Sequence, residues 1–457
     1  MSRCRRQRVW CVLLLLLQGC TVGPDYVRPE VATPAAFKEA PAGWKLAEPG
    51  DGVAHGAWWR VYQDPLLDRL VAQVAVDNQN LKASEAAYRE AVAVVREARA
   101  DLFPTGTVSP SITRARKLEL SQTTRALEGS ASWDLDLWGK VRRQIESDQA
   151  GAAASAADLA DLTLSAQAEL ATDYVNLRYQ DALARLLNDT ARAYERSLRI
   201  TRNQYAAGVA ARSDVLSAET QLAATQASAI AAGQLRAQYE HAIALLIGRP
   251  PSELTIAPAE LASAVPTTPA LLPSALLERR PDIAAAERTM QQENALIGVA
   301  TAAYYPTVTL SASGGYSGTS PLFSATNLIW SLAASASQTL IDGGLRSATV
   351  DAARAAYEQS VADYRQTVLT AFQEVEDGLS DLRILGQQAT AQAETVRLAR
   401  QSVAIALNEY QAGVASYTTV VTAQATALAN EETALQVQAS RLSASIALIK
   451  ATGGGWP

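Results

Sequence analysis

Cysteine is nearly missing from this chain of 457 residues: Cys4, Cys11 and Cys20 are the three, all within the first twenty positions. A disulfide framework and a cysteine metal site are thereby excluded for everything that follows. Histidine is scarcer still, and His55 and His241 have no ligand-spaced neighbours. No metal site, no Ser/His/Asp triad, no phosphate-binding loop and no dinucleotide fingerprint can be assembled. No catalytic residue and no cofactor is therefore expected. Four Phe and two Met in a chain that is 48% hydrophobic leave an alanine-heavy composition, suited to close helix packing rather than to a large globular core. Proline is absent from residues 140–207 and 345–412, two stretches of equal length that hold only Gly151, Gly378 and Gly386 as glycines. Both are rich in Ala, Leu, Gln, Arg and Glu, the best helix formers. Each predicts one helix of about 100 Å, and the charges scattered along it exclude insertion into a bilayer.

What is present is a tandem duplication. Asn80–Glu85 recurs as Asp282–Glu287, and Phe103-Pro104 as Tyr305-Pro306, 202 residues on. Gly139–Arg142 falls on Gly343–Arg346 at an offset of 204, and Tyr205-Ala206-Ala207-Gly208-Val209 on Tyr410-Gln411-Ala412-Gly413-Val414 at 205. Both halves thus carry the same elements in the same order, with a period far longer than the roughly 20–50 residues of solenoid repeats.

Arg3, Arg5, Arg6 and Arg8 precede a short apolar run, Val9–Leu17, and Leu17-Gln18-Gly19-Cys20 resembles a bacterial lipobox. Residues 1–19 are expected to be removed and Cys20 to be acylated. The four arginines leave with the signal, so 36 basic residues face 46 acidic ones, a balance that argues against nucleic acid as a partner. Residues 20–60 read as an extended segment with five prolines up to position 50. The first repeat is placed at 61–250, a Pro-rich linker at 251–273, and the second repeat at 274–457.

Within each repeat a helix comes first, the earlier one running from about Asp64 to Leu102 with Pro65 as its first residue. After Phe103-Pro104 the pattern alternates. Gly106, Val108, Pro110 and Ile112 face away from Thr105, Thr107, Ser109 and Ser111. Trp133, Leu135 and Leu137 alternate with Ser132, Asp134 and Asp136; Val308, Leu310 and Ala312 with Thr307, Thr309 and Ser311; Leu332 and Ala334 with Ser331 and Ser335. Strands of about ten residues suffice to cross a bilayer at a tilt. Phe103, Trp138, Tyr304, Tyr305, Tyr316, Phe323 and Trp330 gather near their ends, as in the interfacial girdles of membrane barrels. Four strands cannot close a barrel, and an open edge in lipid is prohibitively costly, so several copies must share one. The long helices carry heptad spacings (Leu187/Tyr194, Leu198/Tyr205, Val396/Val403/Tyr410), favouring a coiled-coil seam. Each ends at a glycine, Gly208 or Gly413, followed by a return helix at about Ser213–Ile247 or Tyr417–Ala451.

Several motifs stand together in the order of a known family. Leu17–Cys20 is followed by Gly23-Pro24-Asp25-Tyr26, Trp58-Trp59-Arg60, Asp64–Asp68, Arg280–Glu287 and Gly453–Trp456. The chain resembles the outer-membrane factor of tripartite efflux pumps, the TolC-like OprM/NodT-type lipoproteins. The resemblance implies a mainly α fold with a membrane β-barrel: a homotrimer whose 12-stranded barrel, four strands per chain, continues as an α-helical coiled-coil tunnel. It implies anchoring in outer-membrane lipid, extension into the periplasm, and two partners, a periplasmic adaptor and an inner-membrane transporter, usually proton-driven. The expected function is passive conduction of small molecules. A type I protein-secretion exit duct is the nearest alternative, and a structural coiled-coil lipoprotein the alternative of another class. Where the family has Leu-Asp-Ala-Gln after the second hairpin turn, this chain has Val421-Thr422-Ala423-Gln424. Tyr205, Gly208, Asp214, Tyr410, Gly413, Thr418 and Thr422 are therefore the candidates for a mouth closed at rest. Asp214 is either a substitute acid there or a helix cap, and Asp134 and Asp136 are candidates for the barrel lumen.

Overall fold

The computed structural model describes residues 21–31, 34, 37–39, 56–117, 120–266, 279–319 and 321–454. Cys20, His55 and the signal segment lie outside the described residues. Helices α1 (Pro65–Asp77) and α2 (Gln79–Ala100) lead into strands β1 (Thr105–Lys117) and β2 (Leu120–Leu135), then α3 (Lys140–Ala206) and α4 (Arg212–Leu246). The order returns as α5 (Pro281–Ala302), β3 (Thr307–Gly318), β4 (Leu328–Ser337), α6 (Leu345–Gln411) and α7 (Tyr417–Ala451). Equivalent helices have equal lengths: 22 residues in α2 and α5, 67 in α3 and α6, 35 in α4 and α7. None is long and apolar enough to cross a membrane.

Two compact units form, and neither is a half of the sequence. Of the described residues, one takes Ser84–Asp158, Asp282–Thr367 and 21–31; the other takes those within Ala32–Ala83, Leu159–Pro281 and Val368–Pro457. Each unit is thus assembled from the same portions of both repeats.

The first unit holds one antiparallel sheet in the order β1-β2-β3-β4. An extended segment is fastened beside it. Val22 N donates to Trp138 O at 3.1 Å, and the buried Arg143 reaches Val22 O, Gly23 O and the Asp25 carboxylate at 3.2, 3.3 and 2.8 Å. Gly23, at φ +99°, passes so close to Gly298 that a Cβ would lie 2.5 Å from the Gly298 Cα. β1 and β2 run to 13 and 16 residues, longer than the ten expected, because pairing continues through Arg114–Lys117 past the apolar stretch.

The second unit is built on Trp58, Leu67, Val71, Val74, Leu170, Leu177, Ile243, Leu442 and Ile446, all buried. Asp64 caps α1, its carboxylate accepting from Leu66 N and Leu67 N at 2.8 and 3.2 Å. The single helix expected from Asp64 to Leu102 is in fact two. At Asn78 the backbone turns extended, and its side chain accepts from Asn80 N and Leu81 N while donating to Leu246 O at 2.8 Å. The Pro-rich stretch after α4 is no free linker where it is described. Ile256 is buried, and the backbone of 256–259 lies over a charged cluster on α3 and α4. Arg178 pairs with Asp181 at 2.9 Å, Arg236 with Asp181 at 2.6 Å, and Arg236 with Glu240 at 2.8 Å. The strap completes the cluster. Ala257 O accepts from Arg178 at 2.8 Å, Ala259 N donates to Asp181 at 3.1 Å, and Ile256 N donates to Glu240 at 2.5 Å.

Candidate functional site: a two-faced sheet and the hairpin tips

Cross-strand partners share a face of a sheet, so the register sorts every strand residue. One face carries Val108, Pro110, Ile112, Leu127, Ala131, Trp133, Leu310, Ala312, Leu332 and Ala334. The other carries Thr105, Thr107, Ser109, Ser130, Ser132, Asp134, Thr309, Ser311, Ser313, Ser331 and Ser335. The polar face is laced crosswise: Thr107 bonds Ser130 at 2.7 Å, Thr309 donates to Asp134 at 2.6 Å, and Ser313 bonds Ser331 at 2.9 Å. No described residue covers the apolar face, and Val108, Ile112, Trp330 and Leu332 are each more than 70% exposed. Aromatic residues bound it. At the helix-proximal end Trp138 stacks on Tyr305 at 4.8 Å and Trp133 Nε1 donates to Leu102 O; distally Tyr316 meets Phe323 edge-on at 5.3 Å, beside Trp330. The rows of Leu310 and Tyr316 are six residues apart, about 20 Å. Both outer strands, β1 and β4, have an edge with no partner among the described residues.

Asp134 is exposed on the polar face and, with Thr105, Ser132 and Thr307, borders a cavity of about 500 Å³. Asp136 lines the same cavity but lies one residue beyond the end of β2, so the strand alternation does not extend to it. β2 stops at Leu135, and the Asp136 carboxylate turns back to accept from Val141 N and Arg142 N at 3.0 and 3.1 Å and pairs with the Arg142 guanidinium. The unpaired N–H groups of the first turn of α3 attract it, as an anion is attracted at any helix start. Asp342 does the same for α6, and its bond to Arg346 holds the Asp342 carboxyl below the usual range.

At the other end of the long helices, in the second unit, the hairpins turn on Gly208 and Gly413, at φ +71° and +75°. Val209 N reaches back to Gln204 O at 2.9 Å and Gly208 N to Tyr205 O at 3.0 Å; Val414 N to Glu409 O and Gly413 N to Tyr410 O, each at 3.0 Å, repeat the pattern. These are Schellman closures, in which the residue after the glycine donates its N–H to the carbonyl five positions back. Val209 and Val414 are 73% and 76% exposed, which leaves each tip with an apolar point.

The equivalent tyrosines differ. Tyr205 is exposed, whereas Tyr410 is buried with Tyr417, Leu198, Ala218 and Val420, its ring tilted against Tyr417 at 5.1 Å. Tyr410 packs on Tyr417, at the position where the first repeat has Arg212. Burial pushes the Tyr417 phenol up to about 12. Asp214 is not the cap of α4. Ala211 occupies that position without a side-chain bond, and Asp214 sits half-buried in the first turn. Thr418 and Thr422 are exposed, and the Thr422 hydroxyl donates to Thr418 O at 2.9 Å within its own helix. Sequence reasoning missed Gln424, buried and donating to Ser197 Oγ at 2.9 Å. The signal existed: Tyr417, Val420, Gln424 and Ala427 follow a heptad, and a glutamine inside it marks a polar contact in the seam.

A sheet with one lipid-compatible and one polar face, open at both edges, in a chain that repeats a helical hairpin after each strand pair, is the geometry of a shared barrel. The family profile of outer membrane efflux proteins matches the chain twice, over residues 70–249 and 272–454. The chain belongs to this family. The probable efflux pump outer membrane protein TtgC of Pseudomonas putida is 31% identical over 97% of this chain and 94% of its own length. The cation efflux system protein CusC of Escherichia coli is 30% identical over 98% of each. Among solved structures, the outer-membrane channel OprN superposes with a TM-score of 0.88 at 31% identity, covering 96% of this chain and all of its own. The efflux protein therefore has the fold of the TolC-like outer-membrane channels and resides in the outer membrane.

The tips of this efflux protein yield a direct expectation. A valine at Gly208 or Gly413 must adopt a left-handed backbone, at a cost of about 1–2 kcal/mol, although nothing lies within 4 Å of the added Cβ at either position. The protein should accumulate normally while export falls, read as increased drug susceptibility of cells that rely on the variant. Full resistance at wild-type protein levels would remove the tips from the mechanism.

Proposed function

We propose that three copies of this chain close one 12-stranded barrel in the outer membrane, continue it as a helical tunnel into the periplasm, and conduct small molecules passively to the exterior. The observation that carries the reading is the sorted sheet with two unpartnered edges. β1 and β4 run in opposite directions, so β4 of one copy pairs antiparallel with β1 of the next and leaves no backbone group exposed to lipid. The polar face then lines water and the apolar face meets the acyl chains. Cys20, in this reading, carries a lipid anchor beside the fastened segment that starts at Thr21.

The efflux protein performs no catalytic step and couples no energy; an inner-membrane transporter, joined through a periplasmic adaptor, supplies it. The exposed Val209 and Val414 offer the adaptor an apolar contact at each tip. Differential affinity of the adaptor for an open arrangement is what opens the mouth. Purified protein should weigh three chains by native mass spectrometry and produce stepwise conductance in planar bilayers. A stable monomer that inserts no pore ends this proposal.

A further inference from the structure

Charge on the sheet is segregated by sign. Among strand residues with described side chains, the bases are Arg114, Arg116 and Arg125 and the acids are Glu128 and Asp134. The register places all three arginines on the apolar face and both acids on the polar face. The arginines occupy only its distal end. On β1 they follow Val108, Pro110 and Ile112, and on β2 Arg125 lies opposite Ile112 and diagonal to Arg114. Diagonal neighbours on a face stand about 7–8 Å apart, so like charges are crowded with no acid among the strand positions of that face. Both Arg114 and Arg125 are exposed. Arg125 donates to Thr319 O at 3.1 Å, a single bond from a group with five donors. Tyr316, with Phe323 against it, lies on the same face diagonal to Arg125.

We propose that Arg114 and Arg125, with Arg116 beside them, bind the phosphate-bearing headgroups of lipids in the leaflet farther from the helices. The inference rests on the reading of the sheet as a membrane barrel. In that setting the face is apolar up to Ile112 and cationic immediately beyond it, the sequence of environments that a phospholipid or phosphorylated glycolipid presents from tail to head. Arginine suits the task because its planar fork meets phosphate bidentately and its aliphatic stem lies along an apolar surface. Mutual repulsion between the Arg114 and Arg125 guanidinium groups is relieved when an anion enters between them. Three copies around a barrel would repeat the cluster three times, giving the rim a ring of headgroup contacts and the barrel a defined depth.

The test uses the full-length acylated protein and phosphatidylcholine vesicles doped either with diphosphoryl lipid A or with the same lipid dephosphorylated. Lipid retained by the extracted protein is counted by native mass spectrometry, and conductance is recorded in parallel. Wild type should retain the diphosphoryl form, and the R114Q/R125Q double variant should retain about tenfold less, as expected for two charge-assisted phosphate contacts. The exposed helix variant R354Q should behave as wild type, and conductance should be unchanged in all three proteins. Equal retention of the two lipids, equal retention by wild type and double variant, or an equal loss in R354Q overturns the proposal while leaving the barrel standing. Failure of wild type to insert and conduct overturns both.

Discussion

Asp181→Ala should be among the most damaging single substitutions in this protein. The Asp181 side chain is 1% exposed and accepts from Arg178, Arg236 and Ala259 N. Its removal strands the Arg178 guanidinium, itself 5% exposed, without its carboxylate. Breaking one side of a buried ion pair costs about 3–5 kcal/mol, most of it the penalty of an uncompensated charge. The effect should also be local in a recognisable way. Ala257 O and Ala259 N are held by the same cluster, so the strap should loosen along with the helices. The expected result is a lower unfolding midpoint by circular dichroism in detergent, together with new proteolytic cleavage within residues 254–266. Asp181→Asn retains an acceptor oxygen and should lose less. An unaltered midpoint and an unaltered cleavage pattern in Asp181→Ala would show that the cluster does not secure the strap.

Gly248→Val is the second large effect, and Gly208→Val is its control. Both glycines have nearly the same backbone, φ +68° and +71°. At Gly208 a Cβ meets nothing within 4 Å, whereas at Gly248 it would sit 2.2 Å from the carbonyl oxygen of Asp77. The shared left-handed conformation costs a valine about 1–2 kcal/mol. Forcing backbone apart at a close contact adds about 1–3 kcal/mol. Gly248→Val should therefore lower the unfolding midpoint clearly more than Gly208→Val, the difference measuring how tightly the end of α4 is set against the end of α1. Equal midpoints would mean that the close approach contributes nothing. Gly453 stands in the same relation to Arg279 O, at 2.8 Å from the built Cβ, so Gly453→Val should show a milder version.

Much of the site was legible because it is written in local patterns. Freedom from proline between two glycines marked α3 and α6 to within one residue of their ends. Alternation assigned the faces of all four strands, since the period of a strand is two whatever its partners are. The exceptions share a cause. Asn78 interrupts a helical pattern because its side chain serves two helices together, the start of α2 and the Leu246 O at the end of α4, 168 residues away. Asp136 continues an alternating pattern but follows the last paired residue, where the start of α3 competes for its carboxylate. Composition marked 251–273 as a linker, yet what holds its described part in place is a charged cluster on distant helices.

The amino-acid sequence by itself determined the duplicated order of strands and long helices, the lengths of α3 and α6, the turns at Gly208 and Gly413, and a sheet with one polar and one apolar face. Each of these follows from steric preference or periodicity within a few residues. Only the tertiary structure decided that Tyr410 is core while Tyr205 is exposed, that Gln424 bonds Ser197, and that the proline-rich strap is held by Arg178, Asp181, Arg236 and Glu240. Those outcomes depend on which surfaces meet across the fold, and a residue's burial is a property of its neighbours in space, which no local pattern records.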